Sequence, residues 1–385
     1  MISPRGETIC RLSIVACTTL AIALTSLAIT GPPAGSSLIA VEPAQAAKSK
    51  RISAKRRAKL FGVVAVSLPT AAEFNRMGRL GVRAVRLHLS WRAIEEKRGV
   101  RNWGYFDRLV ADATAAGVMV VPQLFDVPPW IDKDRSTPPI RSKHEKAQWK
   151  GFVKEAARRY GPGGVFWTLH PELPARPITI YQVGNEPNLP FFFGGKVGVR
   201  RYRDLLKATA TALRATLPNV IVVGAGIFHY RTVAGSVSMK KYLTRFYRLP
   251  KVRRWFDVMA LHPYAPRPKG VIATVRGARR IMRRAHDGRT PIWITEFGWT
   301  TGGVGWRKNA FRATKRQQAK RLKHTYRLLV RNRKLRVLRA FWHSFADFDY
   351  PGQPDPWTNR MGLLTVKGGR KPSWYAYARI AGGRP

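Results

Sequence analysis

The stretch Tyr181-Gln182-Val183-Gly184-Asn185-Glu186-Pro187-Asn188 decides how the rest of the chain is interpreted. It continues a hydrophobic run over 178–181 that predicts a buried strand, and it ends on an Asn-Glu pair just before a proline, where the chain must leave the sheet. A carboxylate directly after a buried strand is unfavourable unless another group pairs with it. Glu186 therefore needs a partner elsewhere in the chain.

Strand-like and helix-like segments alternate from Leu60 to the end of the chain. Two of the helix starts, Thr70-Ala71-Ala72-Glu73 and Thr314-Lys315-Arg316-Gln317, have the spacing of a capping box. The predicted strands span 60–68, 82–91, 118–125, 178–184, 220–225, 256–261, 292–295 and 337–345. The predicted helices begin near Thr70 and then span 105–117, 144–160, 201–216, 239–247, 271–285, 314–330 and 373–380.

Eight strand-helix units of this kind predict an α/β fold with one catalytic domain, a (β/α)8 TIM barrel over residues 60–385. The alternative is a doubly wound open sheet. It is disfavoured because Ser67-Leu68-Pro69-Thr70 stands after the first strand, where a glycine-rich phosphate loop would be expected.

Residues 1–46 have the form of a signal peptide. Arg5 and Arg11 precede an apolar run over 12–30, and Ala44-Gln45-Ala46 is typical of a signal-peptidase site. The prediction is a protein that is secreted or associated with the cell envelope, with a mature chain from about Ala47. An uncleaved membrane anchor is the alternative, because the run is about as long as a membrane span. Residues 47–59 are interpreted as a basic linker.

Composition excludes some functions and leaves others open. The two cysteines, Cys10 and Cys17, lie in the leader, so disulfide, thiol and zinc-thiolate chemistry is excluded for the mature chain. The net charge of +49 predicts attraction to anionic surfaces such as a cell wall or membrane. Specific nucleic-acid binding is disfavoured because Lys and Arg are spread over nearly every helix.

Polar side chains stand at the ends of the predicted strands, where a barrel carries its active site. The two glutamates among them are the informative pair, since glycoside hydrolysis needs one carboxyl that donates a proton and one carboxylate that attacks or activates water. Glu186 ends the fourth strand and Glu296 the seventh. The other strand-end candidates are Arg86, His88, Asn185, His262, Tyr264, Trp299 and Trp342.

These motifs resemble those of the clan A retaining glycoside hydrolases, in particular the family 5 and family 39 barrels. The family hallmarks are an Asn-Glu after strand four and a Glu after strand seven, matched here by Gly184-Asn185-Glu186-Pro187 and Thr295-Glu296-Phe297-Gly298. The resemblance covers about residues 60–380 and implies that Glu186 is the general acid/base and Glu296 the nucleophile.

The resemblance also assigns the supporting residues. It implies that Asn185 contacts the sugar 2-hydroxyl, that Arg86, His262 and Tyr264 support the nucleophile or line its subsite, and that Trp342 is a sugar platform. His88 fits the Arg-x-His form of the family 39 second strand, and a structural histidine is its alternative. Trp299 is either a stacking platform or a packing residue.

The sequence predicts an exported O-glycosyl hydrolase that cleaves a poly- or oligosaccharide by double displacement. We expect a monomer that binds carbohydrate and needs no cofactor and no metal, because the remaining histidines show no ligand spacing with a carboxylate. A transglycosidase that uses the same glutamates and a non-catalytic barrel that binds anionic cell-surface glycans are the alternatives.

Overall fold

A parallel sheet organises the protein. The computed structural model describes residues 53, 59–230, 234–349 and 356–385, so the predicted leader and nearly all of the predicted linker lie outside the described residues. The strands are β1 (Phe61–Val64), β2 (Ala84–Ser90), β3 (Met119–Phe125), β4 (Ile180–Val183), β5 (Ile221–Val223), β6 (Ile227–Phe228), β7 (Met259–His262), β8 (Ile292–Phe297) and β9 (Val337–His343). They form one nine-stranded sheet in the order β5-β4-β3-β2-β1-β9-β8-β7-β6.

Helices connect successive strands, except β5 and β6, as the alternation of segments predicts. They are α1 (Ala71–Leu80), α2 (Trp91–Ile94), α3 (Gly104–Ala115), α4 (Lys143–Tyr160), α5 (Val165–Leu169), α6 (Val199–Arg214), α7 (Met239–Tyr247), α8 (Pro268–Arg284), α9 (Lys315–Arg331) and α10 (Pro372–Ala381). Both predicted capping boxes are present, Thr70 with Glu73 at α1 and Thr314 with Gln317 at α9. The short helices α2 and α5 are additions to the prediction.

The two faces of the sheet bury different residues. One cluster is small and made of side chains from the strands, among them Ala84, Val121, Ala260, Trp293 and Phe341. The larger cluster joins the opposite strand faces to the helices. Because side chains alternate along a strand, residues two positions beyond the small cluster continue on its face towards the carboxyl ends of the strands.

Two short strands stand where one was predicted: β5 lies within the predicted fifth strand (220–225) and β6 just beyond it. β5 and β6 are the ends of the sheet, and they follow one another in the chain with Gly224-Ala225-Gly226 between them. Backbone bonds link this region to the residues before β7: Gly224 N donates to Val258 O (2.9 Å) and Asp257 N to Val222 O (2.8 Å). The structure thus shows a curled parallel α/β sheet with helices, while the complete (β/α)8 barrel stays a prediction.

Within the described residues, no helix has both the length and the apolar character needed to span a membrane.

Candidate active site

Six of the predicted residues meet at the carboxyl ends of the strands. Arg86 lies in β2, Asn185 and Glu186 follow β4, His262 ends β7, Tyr264 lies just beyond it and Glu296 lies in β8. All are buried except Glu296, whose side chain keeps 12% of its surface exposed. Strands distant in sequence therefore bring a single polar cluster together.

Arg86 organises one side of this cluster. It is 3% exposed, and three of its nitrogens donate to three different side chains. Nη1 donates to Glu296 Oε1 (2.7 Å), Nη2 to Asn185 Oδ1 (2.7 Å) and Nε to Gln182 Oε1 (2.8 Å). Tyr264 Oη donates to the other oxygen of Glu296 (3.0 Å). Glu296 is thus held by a permanent cation and a hydroxyl, which favour its ionised form.

Glu186 has a different environment. It is 6% exposed, and its Oε1 lies 2.5 Å from Nδ1 of the fully buried His262. The other imidazole nitrogen lies 3.0 Å from Thr295 Oγ1. The resemblance assigned His262 to the nucleophile or its subsite, whereas in the structure its hydrogen bond is made to Glu186. His262 Nδ1 is 3.6 Å from Glu296 Oε2.

The two carboxyl groups differ in acidity because their neighbours differ. Burial and the negative charge of Glu296 raise the pKa of Glu186 well above its ordinary value. Burial also opposes the ionisation of Glu296, but the charges of His262 in its acid form, of Arg86 and of His343 outweigh burial and lower its pKa to about 2. Burial lowers the pKa of His262 to about 3, so the imidazole is neutral at pH 7 and Arg86 is the cation that acts there.

The backbone makes room for this arrangement. Gly184 (φ 76°) and Glu186 (φ 34°) both have positive φ, so the chain turns sharply as it leaves β4 and Glu186 N donates to Gly226 O (3.1 Å). A Cβ on Gly226 would lie 1.9 Å from His262 Nε2. Only glycine at this position leaves space for the imidazole that contacts Glu186.

The separation of the carboxyl groups is short. One ligand atom each of Glu186, His262 and Glu296 lies within 4.8 Å of the others, so these residues could also hold a metal ion. In the structure their atoms are engaged with one another and with Arg86 and Tyr264. This arrangement suits two carboxyl groups of which one keeps a proton. That the protein needs no metal stays a prediction.

Two predicted aromatic platforms are corrected. Trp299 and Trp342 have no exposed surface, so neither ring offers a face to a sugar. Their indole nitrogens donate to main-chain oxygens, Trp299 to Ala265 (2.9 Å) and Trp342 to Met361 (3.0 Å). Both pack with Phe297 in the layer between the sheet and the helices. They are packing residues.

His88 lies apart from the carboxyl pair. Its Nε2 is 3.3 Å from Asp126 Oδ2 without making a hydrogen bond, and its ring contacts Phe125. Burial lowers its pKa, so it is neutral at pH 7. Asp126 is bound more closely by Arg135 and by Ser90 Oγ (2.9 Å). The structure places His88 at the edge of the site, where its role in sugar binding stays a prediction.

Three contributors were missed by the sequence reasoning. Gln182 binds Arg86, Thr295 binds His262, and His343 lies close enough to Glu296 to lower its pKa when the imidazole is protonated. The side chain of His343 also faces the ring of Tyr264, at 6.4 Å between centroids. A period of two from the buried Phe341 could have identified His343, since it places residue 343 and not 342 on the inner face.

Aromatic side chains form a wall beside Glu296. The ring of Tyr264 is 5.6 Å from that of Phe228 and 5.8 Å from that of Phe311, and Phe311 is 5.8 Å from Tyr230. Two small, mostly apolar concave pockets lie on the other side of the cluster, next to Asn185 and His88 respectively. Aromatic walls and apolar pockets are common features of ligand clefts.

Comparison with known proteins agrees with this geometry. A family model described as a glycosyl hydrolase catalytic core matches residues 184–368, a range that includes Glu186 and Glu296. No curated protein matches the sequence. Solved structures match over most of the chain, at identities that show the fold alone.

Three of these structures are glycoside hydrolases. A family 39 glycoside hydrolase from Bacteroides cellulosilyticus WH2 has a TM-score of 0.61 at 18% identity over 85% of this chain and 64% of its own. A monomeric beta-xylosidase from Caulobacter crescentus CB15 has a TM-score of 0.62 at 20% identity over 84% of this chain and 68% of its own. An exo-beta-1,4-mannosidase from Opitutaceae bacterium strain TAV5 has a TM-score of 0.57 at 16% identity over 84% of this chain and 59% of its own.

The chain therefore spans about two thirds of the length of the proteins that it matches. The family model and the shared fold confirm the predicted resemblance to clan A glycoside hydrolases.

Proposed function

We propose that this protein is a clan A glycoside hydrolase that cleaves the O-glycosidic bonds of a poly- or oligosaccharide with retention of anomeric configuration, by double displacement. One observation carries the proposal. Carboxyl oxygens of Glu186 and Glu296 lie within 4.8 Å of each other, and their environments move the two pKa values in opposite directions. Carboxyl groups about 5–5.5 Å apart are typical of retaining enzymes, whereas inverting enzymes keep about 6.5–9.5 Å for a water molecule.

In the first step Glu296 attacks the anomeric carbon. Its carboxylate is ionised at neutral pH, and Arg86 and Tyr264 hold both of its oxygens in place. A new bond forms between the carbon and Glu296 as the bond to the leaving oxygen breaks. Glu186 gives its proton to that oxygen and becomes a carboxylate.

His262 positions Glu186 for this transfer. In the tautomer that carries hydrogen on Nδ1, the imidazole donates to Glu186 Oε1 and accepts from Thr295 Oγ1 at Nε2. The proton of Glu186 is then carried by Oε2. In the second step Glu186 takes a proton from water, the water oxygen bonds to the anomeric carbon, and Glu296 is released.

Glu296→Gln tests the nucleophile on a panel of aryl glycosides. We expect its turnover to fall by at least three orders of magnitude, because the covalent step is lost, while its circular dichroism spectrum stays that of the wild type. A 2-fluoro glycoside should label the wild-type peptide that contains Glu296, as detected by mass spectrometry. Full activity of the variant, or inversion of the first product followed by NMR, would contradict the mechanism.

We also propose that the protein is exported through its leader and acts at or outside the cell envelope. The signal-peptide pattern of residues 1–46 supports this, and the N-terminal sequence of the protein isolated from its host would test it.

We further propose that the curled sheet closes as a (β/α)8 barrel. The bonds between Val222, Gly224 and the residues before β7 support closure, because they join the two ends of the sheet. A crystal structure would test it.

A further inference from the structure

Three arginines converge behind the aromatic wall of the site. Arg267 follows β7 and Arg312 follows β8, so both lie in loops at the carboxyl ends of the strands, on the side of Glu296. Arg321 Nη1 donates to the main-chain oxygen of Arg312 (2.8 Å), and its guanidinium carbon lies 5.9 Å from the ring centre of Trp299. Trp299 Nε1 in turn donates to the oxygen of Pro266, the residue before Arg267 (3.1 Å).

These three cations repel one another. Burial and the positive charges of Arg267 and Arg312 lower the pKa of Arg321. No carboxylate of the described residues makes an ion pair with any of them. An uncompensated group of three guanidinium groups costs free energy unless an anion neutralises it.

The helices also begin at the carboxyl ends of the strands, and several of them carry basic side chains in their first turn, where a positive charge does not favour helix stability. This edge of the molecule is called the rim. The helix dipole favours acidic side chains in the first turn, as Glu73 in α1 and Glu145 in α4 illustrate. The first turns of α6, α7, α8 and α9 contain no acidic residue. They carry instead Arg200, Arg201, Lys240, Lys241, Lys269, Lys315 and Arg316.

The aromatic wall connects this group to the reacting centre. Tyr264, which holds Glu296, stands three residues before Arg267, and its ring contacts Phe311, the residue before Arg312. Tyr264 and Phe311 are themselves buried, so they set the position of Arg267 and Arg312, and a glycan bound at Glu296 that extends in this direction would meet the two arginines. Both of these side chains are exposed, and Arg312 donates from Nη1 to the main-chain oxygen of Arg307 (2.5 Å), which leaves its other nitrogens for a ligand.

We propose that the substrate is an acidic glycan, and that Arg267, Arg312 and Arg321 bind an anionic group that it carries some distance from the cleaved bond. The inference rests on the proposed glycosidase function and names the substrate class. A guanidinium fork matches the paired oxygens of a carboxylate, a sulfate or a phosphate, so these groups share the chemistry that the site recognises.

The double variant Arg267→Gln with Arg312→Gln tests this site. Its matched control is Arg280→Gln with Arg327→Gln, which removes two exposed arginines from the same two helical units. Each control position lies twelve residues into its helix, about 18 Å along the axis from the first turn. Both doubles change the net charge equally.

Binding is measured by calorimetry with polygalacturonate as the carboxylate probe, heparin as the sulfate probe, a teichoic-acid polymer as the phosphate probe and xylan as the neutral one. All variants carry Glu296→Gln so that no probe is consumed. We expect at least one acidic probe to bind more tightly than xylan, and the rim double to weaken that binding about tenfold, more than the control double does. The probe that binds identifies the anionic group.

Two results would overturn the proposal: equal losses in both doubles, which would assign the attraction to the whole basic surface, or no preference for any acidic probe. Turnover of aryl glycosides by the wild type separates the two hypotheses. Turnover without acidic-probe binding refutes the anion site and leaves the glycosidase standing. Acidic-probe binding that depends on the rim arginines, without turnover of any glycan, refutes the glycosidase instead.

Discussion

Replacing Arg86 by Met tests whether one buried guanidinium keeps the proposed nucleophile ionised. Its Nη1 lies 2.7 Å from Glu296 Oε1, and both side chains are largely buried. Charge centres about 4 Å apart interact by about 4 kcal/mol at an effective dielectric constant of about 20, which corresponds to about 3 pH units. Because the pKa of Glu296 is lowered to about 2, Arg86→Met should move the acid limb of kcat/KM upward by at most about 3 pH units.

The same substitution should destabilise the fold. It leaves Glu296 without its cation, and Asn185 Oδ1 and Gln182 Oε1 lose the donors that they share in Arg86. Breaking a buried ion pair by removing one partner costs about 3–5 kcal/mol in the free energy of unfolding. Urea denaturation measures this loss, and Arg83→Met is the matched control, because Arg83 is exposed and immediately precedes β2.

A second substitution separates charge from geometry. Arg86→Lys keeps a cation but cannot reach three acceptors at once. We expect its acid limb to stay near that of the wild type, while kcat/KM falls because Asn185 is no longer held. An unmoved acid limb in folded Arg86→Met, measured on a reactive aryl glycoside, would refute the claim that Arg86 keeps Glu296 ionised.

Two further substitutions address Glu186 and its support. Gly226→Ala places a methyl group against the imidazole of His262, so we expect kcat/KM to fall at least tenfold and the free energy of unfolding to fall by about 1–3 kcal/mol. Gly277→Ala is the control and should lose neither, because a Cβ at that position meets open space. Normal activity of Gly226→Ala would contradict this account. The raised pKa of Glu186 makes the wild type lose stability as pH rises towards that pKa. Glu186→Gln has no such group, so its stability should rise relative to the wild type between pH 5 and pH 8, by about 1.4 kcal/mol for each pH unit by which the folded pKa exceeds the unfolded value. An equal difference between the two proteins in urea denaturation at both pH values would argue against a raised pKa.

Strand ends and the period of two predicted much of the candidate site. Arg86 stands two residues after Ala84, and His262 and Tyr264 stand two and four residues after Ala260, so all three lie on the inner face of the sheet. This alternation can be derived from the sequence. The prediction placed Trp342 on the inner face of its strand, where the structure has the next residue, His343. Neighbouring residues of a strand point to opposite faces, so an error of one position exchanges the two faces. The buried indole then belongs to the packing layer, and His343 to the site.

Glu296 illustrates what alternation could not supply. Trp293 lies on the inner face and Thr295 contacts His262, so a regular strand would direct residue 296 outward. The pairing of β8 with β9 has a register shift between Ile294 and Phe297, and such irregularities re-aim side chains. That shift, like the division of the fifth strand at Gly224 and Gly226, depends on contacts with neighbouring strands and leaves no local pattern.

The high net charge makes it harder to keep Glu186 protonated than to keep Glu296 ionised. A surface with an excess of cations favours ionised carboxylates throughout the protein, and Arg86 acts in the same direction from within. A protonated His262 would also favour the ionised form of Glu186, but burial lowers the pKa of His262 to about 3 and keeps it neutral at pH 7. A charged imidazole 2.5 Å from Glu186 would stabilise its carboxylate and remove the acid. Gly226, which leaves room for a fully buried His262, therefore supports the proposed proton transfer.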